Sequence, residues 1–126
     1  MHALPFAICL SAVLSAVSLA KADDAALCSA IVEKVNADVQ SLKELSVAYD
    51  QHRHFAADSR GDESEYRFAV SSMELTAATF ETTVLGIRDL IEEAHLLGCP
   101  DTHALDAVTA ATEAEIKSFS SQHQSP

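Results

Sequence analysis

Apolar side chains recur every three or four positions along three long stretches of the chain, which is the spacing of amphipathic α-helices. These stretches cover about residues 24–57, about residues 62–97, and about 20 residues that begin at 101 or 102. No segment shows the period-two alternation of a β-strand, so the pattern predicts an all-α fold. The second stretch carries the most regular stripe, in alternating steps of four and three residues: Tyr66, Val70, Met73, Ala77, Phe80, Val84, Ile87, Ile91 and Ala94.

Two breaks in this pattern separate the predicted helices. A short polar segment ends in Asp62, a preferred N-cap residue, and Glu65 follows three positions later as in a capping box. Gly98 and Pro100 predict the end of the second helix. Two long helices joined by a short turn pack antiparallel. The chain is therefore predicted to form a long antiparallel helical hairpin plus a shorter C-terminal helix, a three-helix bundle whose residues 118–126 are a frayed tail.

The chain begins with an apolar segment that predicts export. Residues 4–20 include no charged side chain, and positions 20–22 match the A-x-A pattern of a signal-peptidase site. The segment is diluted by serines and is short of the roughly 20 apolar residues that a transmembrane helix needs. We therefore expect residues 1–22 to be a secretory signal peptide and residues 23–126 to form a single helical domain. The protein is expected to be secreted and extracellular, or periplasmic if it is bacterial.

Cys28 and Cys99 remain after the predicted cleavage, and an even pair of cysteines in an exported chain predicts a disulfide. The antiparallel hairpin brings the two positions together at the end away from the turn. Their distances from the turn differ by roughly 10 Å at helical rise. A bend, an end of the first helix near His54, or the path through Gly98 would absorb that difference. Because the chain has no CxxC motif, we interpret the bond as structural, with an intermolecular disulfide as the alternative.

The charge of the chain excludes some classes of partner. The 126 residues include 8 basic and 19 acidic side chains, a formal net charge of −11. Without Lys21 the secreted chain has 7 basic against 19 acidic residues, or −12. Nucleic acids and anionic membrane surfaces bind clusters of Lys and Arg. We therefore expect no nucleic-acid partner and no binding to anionic membrane surfaces, while the acidity would suit a cationic partner. The mature chain is also expected to have no membrane span.

The candidate chemical motifs are all incomplete. His54 aligns with Asp50 and Asp58 at helical spacing, but a surface histidine between carboxylates is common, so no metal site is predicted. Glu92 and His95 form a single Glu-x-x-His, whereas a di-iron bundle needs that motif twice. The chain also lacks G-x-S-x-G and C-x-x-C-H. We predict a non-enzymatic protein with no catalytic residue and no cofactor.

The end of the hairpin near the turn is the best candidate for a binding surface. A third helix of about 30 Å that starts at the disulfide cannot cover a hairpin of roughly 50 Å. The uncovered end would hold four of the six aromatic residues that follow the predicted signal peptide. Aromatic and methionine side chains on a partly covered apolar surface are typical of protein interfaces. The residues predicted to bind a partner are Tyr49, His52, Phe55, Tyr66, Phe68, Val70 and Met73.

Two functions are compatible with this sequence. The first is an interaction module that binds a protein partner, or a second copy as a homodimer, through the aromatic end of the hairpin. The alternative is a carrier of a small apolar ligand, because many alanines lie along the helices and could leave a cavity between them. A carrier needs an enclosed apolar cavity of about 300 Å³ or more, whereas an interaction module needs an exposed apolar patch.

Overall fold

The computed structural model describes residues 21–100 and 102–124. These residues form three α-helices: α1 (Lys21–Asp58), α2 (Glu63–Leu96) and α3 (Thr102–Gln124). α1 and α2 pack against each other as the long hairpin, and the shorter α3 returns along one side of it, with more contact to α1 than to α2. The predicted all-α three-helix bundle is thus confirmed. No helix in the described part of the chain is long and apolar enough to cross a membrane.

Residues 1–20, which hold most of the predicted signal peptide, lie outside the described residues. The two remaining positions of that segment, Lys21 and Ala22, begin α1. The predicted cleavage before Asp23 stays a prediction.

The hydrophobic core lies in the half of the hairpin that α3 covers. Its members on α1 run from Cys28 to Tyr49, and those on α2 run from Phe80 to Ala94. The most deeply buried large side chains come from all three helices: Val35, Leu42, Ile87, Leu105 and Thr112. Among the described residues, the half of the hairpin near the turn therefore consists of two helices without a third layer, and its buried positions are small: Ala56, Ser59, Ala69 and Thr76.

The turn between α1 and α2 ends at the predicted N-cap. The Asp62 side chain accepts a hydrogen bond from the Glu65 backbone N–H at 3.1 Å, which satisfies one of the free donors in the first turn of α2. The Asp62 backbone N–H donates to the Ser59 carbonyl at 2.9 Å. In a full capping box, the Glu65 side chain would accept a hydrogen bond from the Asp62 backbone N–H. Here the Ser59 carbonyl in the turn already accepts from that N–H.

The end of α2 forms a Schellman motif, which positions Cys99 for the disulfide. Gly98 has φ +68°, its N–H donates to the His95 carbonyl, and the Cys99 N–H donates to the Ala94 carbonyl, both at 3.1 Å. The chain thus turns back over the end of α2, and the Cα atoms of Cys28 and Cys99 are 5.7 Å apart in an intramolecular disulfide. Because α1 continues past His54 to Asp58, an early end of that helix does not absorb the register difference.

Replacing Gly98 with alanine is expected to lower the free energy of unfolding by about 1–2 kcal/mol, because a Cβ is strained at positive φ. The melting temperature of the oxidised protein, followed by circular dichroism, should fall by roughly 5–10 °C. Gly86→Ala is the matched control, since Gly86 lies within α2 with open space at its Cβ and alanine favours a helix. Equal melting temperatures for Gly98→Ala and the wild type would contradict the Schellman geometry.

The predicted frayed tail is wrong for the residues that the structure describes, because α3 continues to Gln124. Phe119 is buried, stacks on Phe80 with ring centroids 4.0 Å apart, and meets Tyr49 edge-on at 5.0 Å. One turn further, the Ser46 hydroxyl donates to the Gln122 side-chain carbonyl at 2.9 Å. These contacts hold the end of α3 against α1, whereas the polar sequence around Phe119 suggested that it was loose.

Candidate functional site

α3 stops short of the turn, so the end of the hairpin is uncovered as expected. Its last described side-chain contacts on α1 are with Ser46 and Tyr49. The side chains from Glu63 to Phe68 at the start of α2 are all exposed. Tyr49 itself is only 6% exposed and belongs to the core, because Phe119 packs on its ring. The expectation that Tyr49 lies on the uncovered surface is therefore corrected.

The other predicted binding residues do not form one cluster. At about 100° per residue, Phe55 and Phe68 project from the side of the hairpin opposite α3, whereas Tyr66 and Val70 project towards the α3 side, beyond the end of that helix. Phe68 is the most exposed of the four, at 69%. His52 is half-buried on the same side as Phe55, and the half-buried Met73 packs against the core.

The side of the hairpin opposite α3 forms a continuous surface, which we call the open face. Ser46 and Arg88 mark the opposite side of the hairpin, because they contact Gln122 and Glu113 of α3. On α1, helical rotation places Ala48 about 160° from Ser46. On α2, it places Thr79 about 180° from Arg88. The members of the open face recur in steps of three and four on both helices: Ser41, Leu45, Ala48, His52 and Phe55 of α1, and Phe68, Ser72, Leu75, Thr79, Thr83 and Gly86 of α2.

The open face carries no formal charge. Between residues 66 and 88, the charged side chains of α2 all project towards the α3 side: Arg67, Glu74, Glu81 and Arg88. On α1, Glu44 lies at the outer edge of the face. The neutral surface is bounded by the Lys34–Asp38 ion pair (2.7 Å) at the disulfide end and by Glu65 near the turn. Charge is thus segregated across the hairpin of a strongly acidic chain.

Three of the four hydroxyl-bearing members of the open face, Ser41, Thr79 and Thr83, are hydrogen-bonded within their own helices. Thr79 Oγ1 donates to the Leu75 carbonyl at 2.9 Å, and Thr83 Oγ1 donates to the Thr79 carbonyl at 2.8 Å. Thr76, Thr82 and Ser41 make the same bond four residues back. A hydroxyl that already donates to a backbone carbonyl loses little when water is removed. The threonines, which are unfavourable for helix propensity, therefore make this surface easy to desolvate.

Exposed apolar side chains project from this face. Leu75 is 70% exposed, Phe68 69% and Phe55 45%, while the half-buried Leu45 beneath them packs on the core. The sequence pattern indicated the aromatic residues but not Leu75 or the threonines. Serine and threonine appear polar in a hydropathy pattern, so the positions around Leu75 did not form an apolar stripe. The serine and threonine positions recur with Phe68 and Leu75 in steps of three and four residues. This spacing was the signal in the sequence that could have indicated a common face.

The acidic and histidine side chains near the turn make ordinary surface pairs. His54 Nε2 lies 3.4 Å from one carboxylate oxygen of Asp50, and Arg53 pairs with the other oxygen. Among the described residues, no group of three histidine, cysteine or acidic side chains is arranged to hold a metal ion.

A groove between α2 and α3 is the place that a small ligand would occupy. It has a volume of about 410 Å³, with Phe80 and Phe119 among the buried residues that line it. Glu81, Arg88 and Ser120 at its edges are exposed, so the groove opens to solvent and does not form an enclosed cavity. Its exposed leucine, Leu85, is rotated about 80° around α2 from Leu75, towards the α3 side.

Comparison of the chain with family models, curated proteins and solved structures finds no match.

Proposed function

We propose that this chain is a small secreted, non-enzymatic interaction module that binds a protein through the open face of its hairpin. One observation carries the proposal: an uncharged surface with projecting Phe55, Phe68 and Leu75 on a chain of net charge −11. Exposed apolar patches of this kind are typical of interaction sites. The segment of residues 1–22 and the disulfide suit an exported protein.

The energetics of the open face favour binding. Complete burial of a phenylalanine or leucine side chain contributes about 1.5–3 kcal/mol, so three such side chains supply a substantial driving force. The disulfide and the continuous helices hold these side chains on a rigid support. Less conformational entropy is lost when a preorganised surface binds.

The groove between α2 and α3 supports a second candidate, a carrier of a small apolar ligand. Phe80, Phe119 and Ile116 offer an apolar lining, and Arg88 at the edge would suit a ligand with a negative group. In that case the ligand would contact Leu85, and the open face would have no role.

Photocrosslinking in the cells that secrete the protein tests the proposed function. The photoreactive residue p-benzoylphenylalanine is placed at Leu75 on the open face, or at Leu85 as the matched control. Both leucines are exposed on α2, at 70% and 61%. We expect a crosslink to a protein, identified by its mass, from position 75 and much less from position 85. The absence of any protein crosslink from position 75 would overturn the proposal and leave the carrier function.

A further inference from the structure

We infer that the partner of the open face is a second copy of this chain, bound face to face across a two-fold axis. The inference rests on the proposed function and specifies its partner. In the resulting dimer, the α1–α2 hairpins of the two copies stack as two layers of two helices, with an α3 on each outer side. A two-fold interface requires a patch that is complementary to itself. The charge, the area and the packing of the open face meet that requirement.

The charge distribution favours self-association over a cationic partner. A partner attracted by the acidity of the chain would bind where the carboxylates are, and between residues 66 and 88 of α2 these project towards the α3 side. The members of the open face include neither carboxylates to attract a cation nor like charges to repel a second copy, and Glu44 stands only at its outer edge. Two strongly acidic chains can therefore meet through this side with their charged groups turned outwards.

The area of the open face is sufficient for a specific, modest dimer. Residues 68–86 of α2 span roughly 28 Å, and two packed helices are roughly 20 Å wide, which gives about 550 Å² per copy. Two copies then bury about 1,100 Å², slightly above the roughly 1,000 Å² expected of a specific interface. We therefore expect a reversible dimer that forms at micromolar chain concentrations.

The side chains of the face are suited to helix packing across the dimer. Ala48, Ser72 and Gly86 are small and allow helices to approach closely, whereas Leu75 and Phe68 project between them. Large side chains of one surface that fit between small ones of the other give the interdigitated packing of helix pairs. The hydroxyls of Ser41, Thr79 and Thr83 do not oppose this contact, because their hydrogen bonds are already made within each helix.

Sedimentation equilibrium of the purified, oxidised protein from about 1 to 200 μM tests the inference. We expect a monomer–dimer equilibrium that Leu75→Glu weakens at least a hundredfold, because a two-fold interface would bury the new charge twice. Leu85→Glu adds the same charge about 80° around α2 from Leu75, towards the α3 side, and should change the dissociation constant less than threefold. Circular dichroism melts of both variants check that each remains folded.

Salt provides a second measurement. Raising NaCl from about 20 to 500 mM should strengthen the dimer, because salt screens the repulsion between two acidic chains. A purified chain that remains monomeric at 200 μM in both salts would overturn the inference. If the crosslink from position 75 still forms with another protein, the proposed function survives without the dimer; if no crosslink forms, both fail. If Leu75→Glu and Leu85→Glu weaken the dimer equally, the inference of a dimer through the open face is also overturned.

Discussion

Replacing Cys28 and Cys99 together by serine should lower the free energy of unfolding by about 4 kcal/mol. The disulfide joins residues 71 positions apart, and the chain-entropy estimate for closing a loop of this length is about 4 kcal/mol. A domain of this size has a total stability of about 5–15 kcal/mol, so the bond supplies a large share of it. Urea unfolding, with the midpoint and slope fitted together, measures the difference.

Chemical reduction is the control for the cysteine variant. Reduced wild-type protein should unfold within about 1 kcal/mol of the double serine variant, because both lack the same constraint. If the double variant unfolds at the same urea concentration as the oxidised wild type, the disulfide does not stabilise the bundle. The assignment of a structural role to Cys28 and Cys99 would then be wrong.

Phe119→Ala should cost about 3–5 kcal/mol, because it removes a buried aromatic ring from the junction of the three helices. The ring stacks on Phe80 of α2 and meets Tyr49 of α1 edge-on, so its loss leaves a cavity and frees the last turns of α3. Urea unfolding of the oxidised protein gives the stability. Hydrogen exchange of backbone amides in residues 115–122 should increase more than exchange near Leu105.

Ser118→Ala is the matched control, since Ser118 is the exposed neighbour of Phe119 on the same helix. Its effect should stay within about 0.5 kcal/mol of wild type. A loss of less than about 1 kcal/mol in Phe119→Ala would mean that the end of α3 is not packed on the hairpin.

The architecture could be predicted because its determinants are local. The N-cap Asp62, the C-terminal Gly98 and the stripe each act within a few residues; both caps are present in the structure, and the stripe is buried or half-buried from Phe80 to Ala94, whereas its first member, Tyr66, is exposed. The disulfide followed from the even pair of cysteines together with the antiparallel topology. The sequence did not show how the two cysteines reach bonding distance. In the structure, the Schellman motif brings Cys99 back over the end of α2.

The errors arose where tertiary contacts override local preference. The polar segment around Phe119 has weak helix propensity, but Phe80, Tyr49 and Ser46 supply partners that a local pattern cannot reveal. The same contacts move Tyr49 from the predicted binding surface into the core.

The open face was missed for a different reason. A hydropathy pattern treats threonine as polar, whereas in this helix the hydroxyls of Thr79 and Thr83 are bonded to backbone carbonyls. The sequence also could not show which side of the hairpin α3 would cover, and therefore which side would remain uncovered.

The most direct test of self-association through the open face is a dilution series of ¹H–¹⁵N NMR spectra from about 300 to 10 μM. Gly86 lies on the open face and Gly98 lies at the far end of α2, so their amide signals report on the two regions separately. We predict concentration-dependent shifts for Gly86, Thr79 and Ala48 and none for Gly98. If Gly86 shifts no more than Gly98 over this range, two copies do not meet at the open face and the dimer proposed here does not form.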